Sequence, residues 1–127
     1  RKINDEMGNW VLENFKEFFK KIGLNKNEIE ITIMGYTFKE NCSDIRNTKV
    51  HDLALSIRDA GFNIRIWDPY LDNGTITLLK KSNIESAKET PLNVELALIC
   101  VYHTEILSFL DSFNGFVYDY RKLNKIQ

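Results

Sequence analysis

Proline, cysteine and histidine are scarce in this 127-residue chain, two of each, and no charge sign dominates. Lys and Arg number 17 against 18 Asp and Glu, a formal net charge of −1. A nucleic-acid binder ordinarily carries a basic excess, so that class of partner is not expected. No apolar run approaches the length that spans a bilayer, and the first residues lack the basic-then-apolar order of a secretory leader, so no membrane partner is expected either. Cys42 lies in a polar stretch and Cys100 in an apolar one. Two such cysteines make no disulfide framework, and a reduced, cytoplasmic setting is the plain reading. His51 and His103 are far apart, and with the cysteines scattered the spacing of a metal site is missing too.

What is present is the make-up of one soluble domain: 43% hydrophobic and 28% charged residues, in a chain long enough to bury a core unaided. Ile3, Met7, Trp10, Val11, Phe15, Phe18, Phe19 and Ile22 recur at helical spacing, and Gly23 suits the position just past a helix end. That aromatic face fits either an ordinary core or a surface for a partner domain. The chain opens on Arg1 in the middle of this pattern, which points to a fragment of a longer protein. Residues 29–34 read as a buried strand, and Val50, Leu53, Ala54 and Ile57 as the stripe of a helix ending at Gly61. Residues 63–68 alternate as a second strand closed by Asp68-Pro69. A weaker helix is expected over 75–81, an extended piece over 82–85, and a turn at Pro91. A strand buried on both sides follows over 94–101, then a short helix over 103–110 and a last strand over 115–119. Strand–helix alternation with about five strands predicts an α/β, three-layer, Rossmann-like and mostly parallel sheet behind a long N-terminal helix.

The chemistry concentrates where the first strand ends. In an open α/β sheet, ligands sit at the carboxyl ends of the strands. There Gly35 permits a turn, and a polar loop carries Lys39 and Arg46 before the next helix starts. These cations fit either solvated surface charge or an anion site, Arg as a planar fork and Lys as a point charge. Arg121, just past the last strand, is predicted at the same rim. A dinucleotide fingerprint needs three glycines, yet Tyr36, Thr37 and Phe38 follow Gly35. Nicotinamide-cofactor binding of that kind is therefore rejected for this domain, and Asp68, being followed by proline, reads as a turn cap. Cys42 stands beside Glu40 and Asp44, which disfavour a thiolate, so it reads as non-catalytic. His103 reads as a structural or rim residue at a helix start.

The run Gly35-Tyr36-Thr37-Phe38-Lys39-Glu40-Asn41-Cys42-Ser43-Asp44-Ile45-Arg46-Asn47-Thr48-Lys49, continued by Trp67-Asp68-Pro69, resembles the C-terminal domain of the UDP-glucose/GDP-mannose dehydrogenase family. Val101-Tyr102-His103 and Asp119-Tyr120-Arg121 resemble later landmarks, and residues 1–7 resemble the end of that family's central helix. The resemblance covers nearly the whole chain, loosely over 73–94. It leans toward the branch acting on UDP-N-acetylhexosamines.

Several expectations follow from the resemblance. The parent would oxidise a nucleotide-sugar C6 hydroxyl to a carboxylate in two hydride transfers to NAD, for capsule or O-antigen polysaccharide. Residues 1–24 would end an inter-domain helix, and 25–127 would hold the nucleotide sugar. Phe38, Lys39 and Arg121 would contact the UDP-sugar, and Arg46 would reach toward NAD held mainly by an N-terminal domain. The catalytic cysteine would lie outside this sequence, leaving the fragment inactive alone, and the parent would be a homo-oligomer. Tyr36 departs from the small aliphatic residue expected at its position. Two other readings stand beside this one: a non-catalytic nucleotide-binding or regulatory module, and a structural domain dimerising through the aromatic helix.

Overall fold

Alternation along the strands sets the layers. A computed structural model describes the backbone of residues 2–37 and 49–121, with side chains from residue 10 onward in the first span. The elements run α1 (Lys2–Ile22), β1 (Glu30–Met34), α2 (Lys49–Asp59), β2 (Asn63–Trp67), α3 (Asn73–Lys81), β3 (Glu85–Ala87), β4 (Leu96–Ile99), α4 (Thr104–Asp111) and β5 (Phe116–Asp119). The five strands form one sheet in the order β3-β2-β1-β4-β5, and every pairing is parallel. Ile31, Ile33, Ile64, Ile66, Leu96 and Leu98 share a core with α1, α2 and α3. Met34, Trp67, Ala97 and Ile99 belong to a second cluster with Ile106 of α4. Period-two side chains thus feed two cores from one sheet. β4 is buried throughout and β1 at all but Glu30, as central parallel strands covered on both faces must be.

The aromatic face of α1 finds its partners inside the domain. The Phe15 ring lies 5.4 Å from Phe62 and 5.1 Å from Tyr118, both edge-on, and Phe19 lies 4.9 Å from Phe62. Val11, Phe15 and Phe19 are buried in the same core as the sheet, while Trp10 stays partly exposed. The helix stops where expected: Gly23 takes φ +74° and its amide donates to the Lys20 carbonyl.

The link from β3 to β4 contains no helix, although it must pass β2 and β1 to reach its strand. Side chains from β2 hold it against the α4 face. The Trp67 indole donates to the Lys88 carbonyl at 3.1 Å, and the Arg65 guanidinium donates to the Leu92 carbonyl at 2.7 Å. Arg65 also donates to the Thr32 hydroxyl at 2.9 Å and pairs with Glu30 at 3.4 Å. Backbone groups in a loop over an apolar sheet need such partners.

Most element boundaries shift from expectation by a residue or two, and α3 begins at Asn73; two shifts have a visible cause. The extended piece expected over 82–85 ends as β3 at Glu85–Ala87, because Asn83 turns the chain with φ 63° first. The expected strand over 94–101 pairs only over Leu96–Ile99, the amides of Cys100 and Val101 both turning to the Met34 carbonyl.

Candidate functional site

With all strands parallel, the loops after β1, β2, β4 and β5 emerge at one edge. Chain order reverses between β1 and β4, so the chains leaving those two strands diverge there, which is where an open α/β sheet makes a crevice. Gly35 sits at that point with φ +100°, and a Cβ on it would meet the Cβ and amide nitrogen of Val101 at 2.6 Å. The two strand ends approach so closely that only glycine fits.

Behind Gly35 lies a buried polar cluster joining three strand ends. Asp68 Oδ2 accepts from the amides of Tyr36 at 2.7 Å and Thr37 at 2.9 Å, and from the Thr37 hydroxyl at 3.0 Å. His103 Nε2 stands 2.9 Å from the same oxygen and 2.7 Å from Thr37 Oγ1. Asp68 Oδ1 accepts from the Tyr70 amide at 2.7 Å, closing the turn after β2. Thr37, Asp68 and His103 are all 0% exposed. Burial pushes the Asp68 carboxyl up, but the bonds from His103, Tyr36, Thr37 and Tyr70 outweigh it and hold the group below the ordinary aspartate range. An ionised Asp68 has no proton to give, so Nε2 of His103 carries the hydrogen between them.

The surroundings fix these residues further. The Tyr70 ring covers His103 at 4.8 Å and its hydroxyl donates to Glu105 at 3.2 Å. The Tyr36 side chain is buried with its hydroxyl 3.0 Å from His51 Nδ1, tying the loop after β1 to α2. Burial first, and Asp52 second, push that phenol up. The position the sequence leaves without a role is therefore a packing residue that joins strand end to helix.

Arg121 lies just beyond β5 at the same edge, two strands from β1, with its guanidinium 4.8 Å from the centre of the Tyr102 ring. The Tyr102 hydroxyl donates to Asp119 at 2.7 Å. A guanidinium over an aromatic face gains a cation–π attraction. Phe38, Lys39, Cys42 and Arg46 lie outside the described residues. His103 sits at the expected helix start, preceding Thr104, but deep inside rather than at a rim. Asp68 caps its turn as expected; its other donors, more than 30 residues away in sequence, carry no local signal.

Asp68, at the end of β2 where a dinucleotide-binding fold places its ribose-binding carboxylate, is instead turned inward onto the amides of Tyr36 and Thr37 and is 0% exposed. Among the described residues no group of three His, Cys, Asp or Glu could hold a metal ion, and no helix is long and apolar enough to cross a membrane.

The fold is that of a Rossmann-like domain whose strand ends carry a buried polar cluster of Thr37, Asp68 and His103. Residues 32–125 match the UDP-binding domain of the UDP-glucose/GDP-mannose dehydrogenase family, and the chain belongs to that family. A UDP-N-acetyl-D-glucosamine 6-dehydrogenase of Salmonella typhi is 40% identical over 72 residues, 57% of this chain and 17% of that protein. Protein CapL of Staphylococcus aureus is 30% identical over 107 residues, 84% of this chain and 25% of that protein. The chain thus spans a quarter or less of the length of these relatives. Among solved structures, a UDP-glucose dehydrogenase from Pyrobaculum islandicum superimposes with TM-score 0.70 at 21% identity, covering 93% of this chain and 27% of that one. A UDP-D-ManNAc dehydrogenase from Pyrococcus horikoshii gives 0.65 at 20% identity, with 94% and 28% covered. At such identities the likeness establishes the fold.

Proposed function

We propose that this chain is the nucleotide-sugar-binding part of an NAD-dependent nucleotide-sugar 6-dehydrogenase, acting on a UDP-N-acetylhexosamine to make its uronic acid for a capsule or O-antigen polysaccharide. The observation that carries the reading is the family match across the whole strand-end edge, from Thr32 in β1 to beyond Arg121. The relatives named for UDP-N-acetyl-D-glucosamine 6-dehydrogenase, and a UDP-N-acetyl-D-mannosamine dehydrogenase of Methanocaldococcus jannaschii at 27% identity, support the N-acetylhexosamine. CapL, by its name, supports the capsule.

In this reading residues 25–127 bind the substrate and residues 1–24 end a helix running to the rest of a cytoplasmic, homo-oligomeric enzyme. Phe38, Lys39 and Arg121 contact the UDP-sugar. The diphosphate carries the charge, and cations in a closing cleft of reduced dielectric offset it more strongly than in water. The hydride acceptor and the nucleophilic cysteine belong to other parts of the protein, with Arg46 reaching toward the cofactor. Holding the sugar at a fixed distance from a cofactor on another domain is this chain's share of the chemistry.

The test is an assay of the full-length protein for NADH formation with UDP-N-acetylglucosamine, UDP-N-acetylmannosamine and UDP-glucose. Two NADH per N-acetylhexosamine are expected, with UDP-glucose the poorer substrate. Lys39→Ala should weaken nucleotide-sugar binding by about tenfold, the worth of one charge-assisted contact. Equal affinity of variant and wild type in a calorimetric titration removes Lys39 from the site.

A further inference from the structure

Among the described residues, five polar or charged residues are buried: Thr32, Thr37, Asp68, Thr75 and His103. Three of the five form the single cluster behind Gly35, at the edge where the ligand crevice opens and not within the apolar cores. A carboxylate taken out of water at this depth is costly, and an apolar filling of the same volume is commonly as stable or more so. What the polar cluster supplies, and an apolar one cannot, is direction: Asp68 draws on donors from the chain leaving β1, the turn after β2 and the residue just before α4.

We propose that Asp68 and His103 are positioning residues for nucleotide-sugar binding, a buried carboxylate–imidazole latch that fixes the backbone at Tyr36 and Thr37 and so sets the crevice between the ends of β1 and β4. The inference rests on the function proposed above. The latch touches no ligand. It acts through Thr37, whose amide and hydroxyl both bond Asp68 while its hydroxyl also meets His103. Gly35 cannot fix this geometry alone, since a glycine is as free in φ as the chain allows. Neither can the strand ladder, which ends with the Gly35 amide on the Trp67 carbonyl and the Cys100 amide on the Met34 carbonyl. Beyond those bonds the path of the chain is set by side chains, and a fully satisfied buried network specifies one arrangement.

The experiment uses the full-length protein and UDP-N-acetylglucosamine as the titrant, with NAD titrated in parallel. His103→Phe fills the space and removes the donor; His103→Gln offers an amide N–H toward Asp68. Below the melting temperature of every variant, His103→Phe should weaken UDP-sugar binding about tenfold and leave NAD affinity unchanged, as expected when a supporting group of a binding site is lost. His103→Gln should stay within about threefold of wild type even though its melting temperature falls. Thr37→Val, nearly isosteric, serves if His103→Phe does not fold, and should move UDP-sugar affinity in the same direction by about threefold. Wild-type affinity in folded His103→Phe or Thr37→Val, or equal loss for UDP-sugar and NAD, overturns the latch. A wild-type protein that binds no UDP-sugar overturns the function itself, and the latch's role falls with it.

Discussion

At position 35 a methyl group would sit against both the side chain and the backbone of Val101, on a residue whose φ is +100°. The contact cannot relax without parting β1 from β4, one of the two central pairings of the sheet. Gly35→Ala should therefore cost about 3 kcal/mol or more in urea unfolding, beyond ordinary overpacking alone. A loss under about 1 kcal/mol would mean that the strand ends part easily. Asp68 makes a different kind of demand. Its carboxyl is held below its ordinary value near 3.8, so the folded state prefers the ionised form. That preference adds stability at neutral pH and is lost as the pH falls through the carboxylate range and the folded-state group takes up its proton. Asp68→Asn cannot reproduce an oxygen with several donors and should cost about 3 kcal/mol at pH 7. Repeated at pH 3, the gap between variant and wild type should narrow. A gap unchanged by pH would disconnect the ionisation from folding.

Among the elements, α1 carries the largest single test. Phe15 is 0% exposed and meets aromatic rings from α1 itself, from Phe62 just before β2 and from β5. Phe15→Ala should destabilise by about 4 kcal/mol, the range for a large aromatic deleted from a packed interior, and lower the melting temperature of the domain as one transition. A separate, earlier transition for the helix would instead make it an appendage. The helix also marks what periodicity could reveal. Its apolar face, its glycine stop and the alternation of β2 are local facts, legible from spacing. The limits of β4 are not, because its apolar run continues through Cys100 and Val101 after strand pairing stops, their side chains still packing in the core. The cluster of Thr37, Asp68 and His103 is harder still. Locally Thr37 reads only as a side chain crowding the turn, Asp68 as a turn cap and His103 as a structural or rim residue, and only the sheet order, which no short window contains, brings them within hydrogen-bonding distance. Tyr36 is the same lesson: its partner, His51, lies on the next helix.

The molecule as a whole hides Cys100. Burial first, then the nearby Asp119, push its thiol far above the ordinary range, and Arg121 pulls back only in part. In a Cys42→Ser protein, a thiol reagent should react with Cys100 only as fast as the whole domain opens, and at once in denaturant. Rapid labelling of the native protein would place β4 in a region that opens locally. The same view bears on the reading of α1 as a dimerisation surface. Val11, Phe15 and Phe19 are spent inside the domain, so Trp10 is the large hydrophobic residue that the helix still exposes among its described side chains.

One hydrogen bond reaches across nearly the whole chain: the Tyr118 hydroxyl donates to Asn14, 104 residues earlier. Helix α1 and strand β5, far apart in the sequence, therefore share a wall of the same core. During synthesis α1 must wait, part of its aromatic face uncovered, until β5 has left the ribosome. A nascent chain stopped short of residue 118 should bind chaperones and yield to protease, and one carried past β5 should refold over milliseconds to seconds, the pace of parallel sheets closed by distant contacts.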